Sequence, residues 1–271
     1  MSYEQFYQLR EQPFSNTPDA RFFFEVDQHA EVLARLMYAV NTMKGLAVVI
    51  GDVGTGKTTL ARRMLDELDD DQYESALLVI IHAAITAEWL LRKIASQIGI
   101  EGVGDDKVTI LTQIYQRLME LHQEGRKAVV LIDEANMLQQ RELMEELRGF
   151  LNLEVPGSKL LTFILFGLPQ LDQTLALDAP LVQRVAVKCR LTSLSPETSK
   201  AYIRHRLKVA GATRDVFPEA VLDRVAAESQ GIPRLINTIC DNVLLEGYLR
   251  KKEKPDVDLV KDVVRDLGIG A

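Results

Sequence analysis

The chain is poor in cysteine. Cys189 and Cys240 are its two cysteines in 271 residues, and no C-x-x-C spacing occurs. That excludes a disulfide-stapled fold and a thiolate metal knuckle, and predicts two reduced, buried or half-buried thiols. Long apolar runs are also missing. The longest, around Ala76 to Ile81, has the length of a strand, far short of the roughly 20 residues that cross a bilayer. The opening MSYEQFYQLREQPF has no apolar signal region. Excess base is absent as well: 32 Lys and Arg stand against 39 Asp and Glu, a net charge of -7. That balance disfavours nucleic acid as a general partner, though it leaves room for a local basic patch. Neither an internal repeat nor a low-complexity segment is present. The expectation is a cytoplasmic protein with no direct membrane insertion, brought to the inner membrane face through partners. What the chain does have is an ordinary globular balance, 47% hydrophobic and 26% charged, with length for one large domain or one domain plus a small companion.

One stretch organises the rest. Gly51-Asp52-Val53-Gly54-Thr55-Gly56-Lys57-Thr58 reads G-x-x-x-x-G-K-T, the phosphate-loop pattern. Gly45 to Ile50 before it is apolar and strand-like, and Thr59 to Leu68 after it has helical periodicity without proline. The pattern therefore sits between a strand and a helix, as its chemistry requires. Glycines let the backbone turn and aim N–H groups at phosphate oxygens, and the helix N-terminus adds its positive dipole end. Lys57 is predicted to reach the β- and γ-phosphates of ATP, and the Thr58 hydroxyl to bind Mg²⁺. Gly51 through Thr59 form the expected nucleotide-binding stretch.

A second signal lies downstream. Ala128 to Ile132 is a buried parallel-strand pattern ending in Asp133-Glu134. Such a strand beside the phosphate loop delivers a carboxylate to the metal, a role that Asp133 fits. Glu134, one residue on, is placed to orient or deprotonate an attacking water.

The remaining pattern alternates. Residues 1–28 form an aromatic-rich lead-in with two standing readings, lining an adenine pocket or capping the core. Helices are predicted over 29–44, 86–98, 109–124 and 139–151, with Thr86 as an N-cap. Strands are predicted over 75–83, 160–167 and 185–191. This is an α/β pattern with a parallel sheet covered on both faces. From Ser195 the character changes: Pro196, Pro218, Pro233 and Pro255 each open a helical run and no strand is evident. The expected organisation is 1–28 lead-in, 29–192 nucleotide domain and 193–271 helical lid. The run Arg250-Lys251-Lys252-Glu253-Lys254 reads as a solvated helix end.

With both nucleotide motifs and the helical tail in place, the chain resembles AAA+ ATPases, and more narrowly the ExeA/GspA group of secretion ATPases with its short pilus-locus and polysaccharide-locus members. The likeness spans nearly the whole chain. It rests on Phe6-Tyr7-x-Leu9, Pro13-Phe14, Thr17-Pro18-Asp19, the two motifs, Gln183-Arg184, Tyr202 to Gly211, Gly231 to Asn237 and Cys240-Asp241. The resemblance implies a P-loop AAA+ sheet domain followed by a small helical lid. It also implies that Arg234 touches the γ-phosphate in cis and that Arg184, with Arg190 as alternate, reaches a neighbouring subunit's nucleotide. By sequence alone, an arginine in a helix's first turn opposes the dipole, so Arg234 is not there for helix stability. Two departures stand out. Leu168 occupies a place where the group has glutamine, leaving Thr162 or Gln170 as weak substitutes for that contact. His82 stands where the group often has asparagine, either as a pH-dependent hold on Glu134 or as a core histidine bonded to backbone. The cell-wall-binding part of the longer members is not carried over.

The resemblance implies an ATPase that self-associates with nucleotide and drives or regulates assembly of an envelope machine: a pilus, a type II-like secretion system or a polysaccharide exporter. The alternative is a nucleic-acid-linked ATPase such as a TniB-like transposition helper, opposed by the acidic balance. A small-molecule P-loop kinase fits poorly, because such an enzyme needs an acceptor site rather than a water-activating Glu134.

Overall fold

The computed structural model describes residues 2–269. They fall into two compact units. One runs to Val26, takes in Gly54–Gly56 and resumes at Thr192; the other comprises Asp27–Val53 and Lys57–Leu191.

The second unit is built on a five-stranded parallel sheet. Its strands are β1 (Leu46–Gly51), β2 (Tyr73–Val79), β3 (Lys127–Asp133), β4 (Leu161–Gly167) and β5 (Val187–Leu191), in the order β2-β3-β4-β1-β5. Every residue of β1 and β4 is buried, as a parallel sheet covered on both faces demands. Alternate residues of a strand serve opposite faces. Leu46, Val48 and Ile50 join one core with Leu90, Ile114 and Leu147, whereas Ala47 and Val49 join another with Leu36, Leu60 and Met64. The first core packs helices Ala87–Gln97, Lys107–Gln123 and Arg141–Phe150; the second packs Asp27–Asn41 and Lys57–Glu67. Thr86 caps its helix as expected, accepting from Trp89 N at 3.1 Å. The short antiparallel pair Glu154–Val155 and Ser158–Lys159 turns through Pro156-Gly157, with Gly157 at φ +86°.

β4 lies between β3 and the phosphate-loop strand and pairs with both. The interiors of these strands are apolar, so burial pattern alone does not set their order. One expectation about the sheet changes: β2 stops at Val79. His82 is exposed in the following loop and is not a core histidine.

The first unit is helical from Pro196 onward: Pro196–Val209, Glu219–Glu228, Pro233–Leu249 and Val257–Asp266. Pro196 and Pro233 sit at the first helical positions and Pro218 at a cap, where a missing N–H costs nothing. The lead-in belongs to this unit. Its helix Tyr3–Tyr7 and Phe14 bury their rings in the helical core with Phe217, Ile239 and Val260. Arg206 fastens it, donating from Nε to Pro13 O at 2.6 Å and from Nη2 to Ser15 O at 3.0 Å.

Candidate nucleotide site

β1 runs into the loop Asp52–Gly56, and Lys57 opens the next helix. Gly54 has φ +81° and Gly56 φ +102°, backbone conformations that a side chain disfavours. The buried Lys57 spans the turn: its Nζ donates to Gly51 O at 2.8 Å and to Asp52 O at 2.9 Å. Thr58 donates its hydroxyl to Asp133 Oδ2 at 2.6 Å. β3 thus delivers Asp133 to the loop even though β4 intervenes. Asp133 is 1% exposed, and its other oxygen accepts the Glu134 N–H at 2.9 Å.

Glu134 stands at φ +55°, ψ +34°, a left-handed conformation that costs a non-glycine residue about 1 kcal/mol or more. It is half-buried, and among the described residues its carboxylate has no hydrogen-bond or ion-pair partner. Hard oxygen donors at Thr58 and Asp133 suit magnesium; the glycine turn and buried ammonium suit a polyphosphate. The residues fit ATP with Mg²⁺.

The other expected residues lie as follows. Arg234 is exposed in the first turn of Pro233–Leu249. Its N–H approaches Gly54 O at 3.4 Å, within the unit that includes residues 54–56. Arg184 is half-buried, with Nη1 bound to Arg148 O at 3.0 Å. Arg190 pairs with Asp172 at 3.2 Å. Thr162 does not reach the site. It lies at the start of β4, receiving the Gly45 N–H at 3.4 Å, while Gly167 at the other end pairs with Ile50. At about 3.3 Å per residue, the five steps from Thr162 to Gly167 keep Thr162 more than about 16 Å from the loop. Gln170 is exposed beyond β4. The sequence reading overlooked Asn136. It is buried in the turn Ala135–Met137 and accepts the Leu168 N–H at 2.9 Å. Its signal was an amide two residues after the acidic pair, with Ala135 between.

A strand–loop–helix phosphate cradle facing a strand-end Asp-Glu pair defines a P-loop nucleoside triphosphatase. The AAA domain family matches residues 40–175, half of the chain, and the chain belongs to that family: it is a nucleotide-binding ATPase. It is 35% identical over 255 residues to the general secretion pathway protein A of Aeromonas hydrophila, covering 93% of this chain and 46% of that protein. The chain thus spans less than half the length of that relative. Among solved structures, Aeropyrum pernix ORC2 superposes with a TM-score of 0.68 at 18% identity, covering 92% of this chain and 72% of that one. The Thermotoga maritima RuvB Holliday junction branch migration motor does so with 0.61 at 19%, covering 97% and 74%. These two show the shared fold. No helix among the described residues is long and apolar enough to cross a membrane.

Proposed function

We propose that this chain binds ATP with Mg²⁺ and hydrolyses it to drive or regulate assembly of an envelope machine. The observation that carries the chemistry is the Thr58–Asp133 hydrogen bond with an unpartnered Glu134 one residue on. The loop N–H groups and Lys57 hold the phosphates. Thr58 and Asp133 would hold magnesium, which when bound would supply neutralisation of the phosphate charge. Glu134 accepts a proton from water as its oxygen bonds to the γ-phosphorus; the bond to the β–γ bridging oxygen breaks and ADP leaves. Arg234 contacts the γ-phosphate in cis. Arg184 serves a neighbouring copy in a nucleotide-dependent oligomer.

Similarity to general secretion pathway protein A supports the envelope role. The partners are pilus, type II-like secretion or polysaccharide-export proteins. They draw a cytoplasmic protein to the inner membrane face. The nucleic-acid-linked alternative shares its fold with ORC2 and RuvB, but the net charge of -7 opposes it. The test is capture with Glu134→Gln protein loaded with ATP-Mg²⁺, drawn from native lysate with and without nuclease. Nuclease-resistant envelope or secretion proteins are the expected catch. Nuclease-sensitive DNA, or a transposase, would replace the proposal with the alternative.

A further inference from the structure

One buried polar side chain beside the catalytic pair has no part in the chemistry above. Asn136 is 6% exposed. Its Oδ1 accepts the Leu168 N–H at 2.9 Å, and its backbone oxygen accepts the Thr174 hydroxyl at 3.5 Å. A backbone N–H can only donate, so the amide must turn its oxygen to Leu168. This one residue therefore ties the turn after β3 to the first residue past β4 and to the buried Thr174 of helix Leu171–Leu175. The fit is close: a Cβ on Gly167 would lie 3.0 Å from Asn136 Oδ1.

Two residues upstream, Glu134 holds its left-handed backbone. Such a conformation persists only where the surroundings over-determine it. Two bonds that fix it are internal to the turn: Glu134 N–H to Asp133 Oδ1 at 2.9 Å, and Met137 N–H to Glu134 O at 2.9 Å. The first uses a carboxylate already engaged by Thr58. Asn136 supplies an anchor outside the turn. Leu168, being apolar, offers its N–H to this anchor and no polar side chain of its own.

We propose that Asn136 is a positioning residue for hydrolysis: it clamps the 133–137 turn to the end of β4 and so keeps the Glu134 carboxylate aimed at the attacking water. The proposal rests on Glu134 being the hydrolytic base. A misplacement of about 1 Å at such a group can cost on the order of a hundredfold in rate. Asn136→Ala is therefore expected to lower kcat by about ten- to a hundredfold, with KM and the affinity for a fluorescent ATP analogue within about twofold of wild type.

Residues that act as a unit are non-additive. Added to Glu134→Gln, Asn136→Ala should therefore slow single-turnover hydrolysis no further. Gly167→Ala, whose new methyl would press on Asn136 Oδ1 at 3.0 Å and on Leu171 Cδ2 at 2.9 Å, should give a smaller fall of the same kind and serves if Asn136→Ala does not fold. Unchanged kcat in Asn136→Ala, or in Gly167→Ala should that variant alone fold, overturns the proposal. So do losses of nucleotide affinity and kcat in step, and a full additional loss on the Glu134→Gln background. Undiminished turnover by Glu134→Gln itself would instead remove the premise, the role of Glu134, and is read separately from the Asn136 arms.

Discussion

At the residue scale, the site depends on groups that admit no neighbouring substitute. Gly54 is the plainest case. It has φ +81°, and a Cβ there would lie 2.8 Å from Arg234 Cβ and 3.0 Å from Ile232 Cγ2. Gly54→Ala is thus penalised by backbone and by space together. It is expected to weaken ATP binding at least tenfold, which titration with a fluorescent nucleotide would measure; unaltered affinity would mean that the loop turns differently. Thr58 offers a subtler test. Its hydroxyl lies 2.6 Å from Asp133 Oδ2, so the pair already converges where a hard cation would sit. Thr58→Ala should abolish most of the gain in ATP affinity that wild type shows on adding Mg²⁺, while leaving the metal-free affinity unchanged. Parallel titrations in Mg²⁺ and in chelator separate the two, and a Mg²⁺ gain as large as wild type would remove Thr58 from the metal's ligands.

At the element scale, what could be read in advance follows from periodicity and what could not follows from tertiary choice. The phosphate loop, Asp133-Glu134 and the proline-opened helices are local signals, and each falls in its expected kind of element. The order of β3 and β4 was not legible, because both have apolar, buried interiors. The core reading of His82 fails because the apolar run through Ile81 outlasts the hydrogen-bonded strand; Ile81 itself is 81% exposed. Thr162 sits at the start of the expected strand, five residues before the end that faces the loop, a distance the predicted bounds already contain. For the lead-in aromatics the core-capping reading was available beside the adenine-pocket one, but not which core they join, the helical one.

That core yields a pH prediction. His205, on helix Pro196–Val209, has a buried Nε2 without a partner. Burial, then the charges of Arg206 and Lys208, lowers its pKa, against an opposing backbone bond with Phe23. With a folded value below the unfolded one of about 6.5, the neutral form is favoured in the folded state. Its contribution is complete above pH 6.5 and is lost as pH falls through the folded value. His205→Gln should therefore lessen acid destabilisation: the urea midpoint of wild type should fall relative to the variant between about pH 7 and 5. Parallel curves would deny His205 this role.

At the scale of the whole molecule, the question is whether one copy completes another's site. Arg184 is built like a fixed mount. Its Nη1 is held by Arg148 O, and Arg148 in turn is held by the buried carboxylate of Asp178 at 2.8 Å. Asp178 also caps the helix Ala179–Val182 through Leu181 N at 3.2 Å. A purely structural arginine would need no more than this, and its removal would then lower stability and leave the dependence of rate on concentration intact. A guanidinium that serves a neighbouring nucleotide behaves differently, because preorganised charge at the transition state is worth on the order of a thousandfold or more in related triphosphatases. Arg184→Ala should then bind ATP as wild type does, yet lose the rise of specific activity with protein concentration. Lys57→Ala, which keeps Arg184 but not the ammonium of its own phosphate loop, should be inactive alone. Mixing the two gives some neighbours in which an intact loop meets an intact Arg184, so part of the activity should return and should peak near equal amounts. Activity that never exceeds the sum of the two separate proteins, at any ratio and at concentrations where light scattering shows association, would confine Arg184 to holding Arg148 in place.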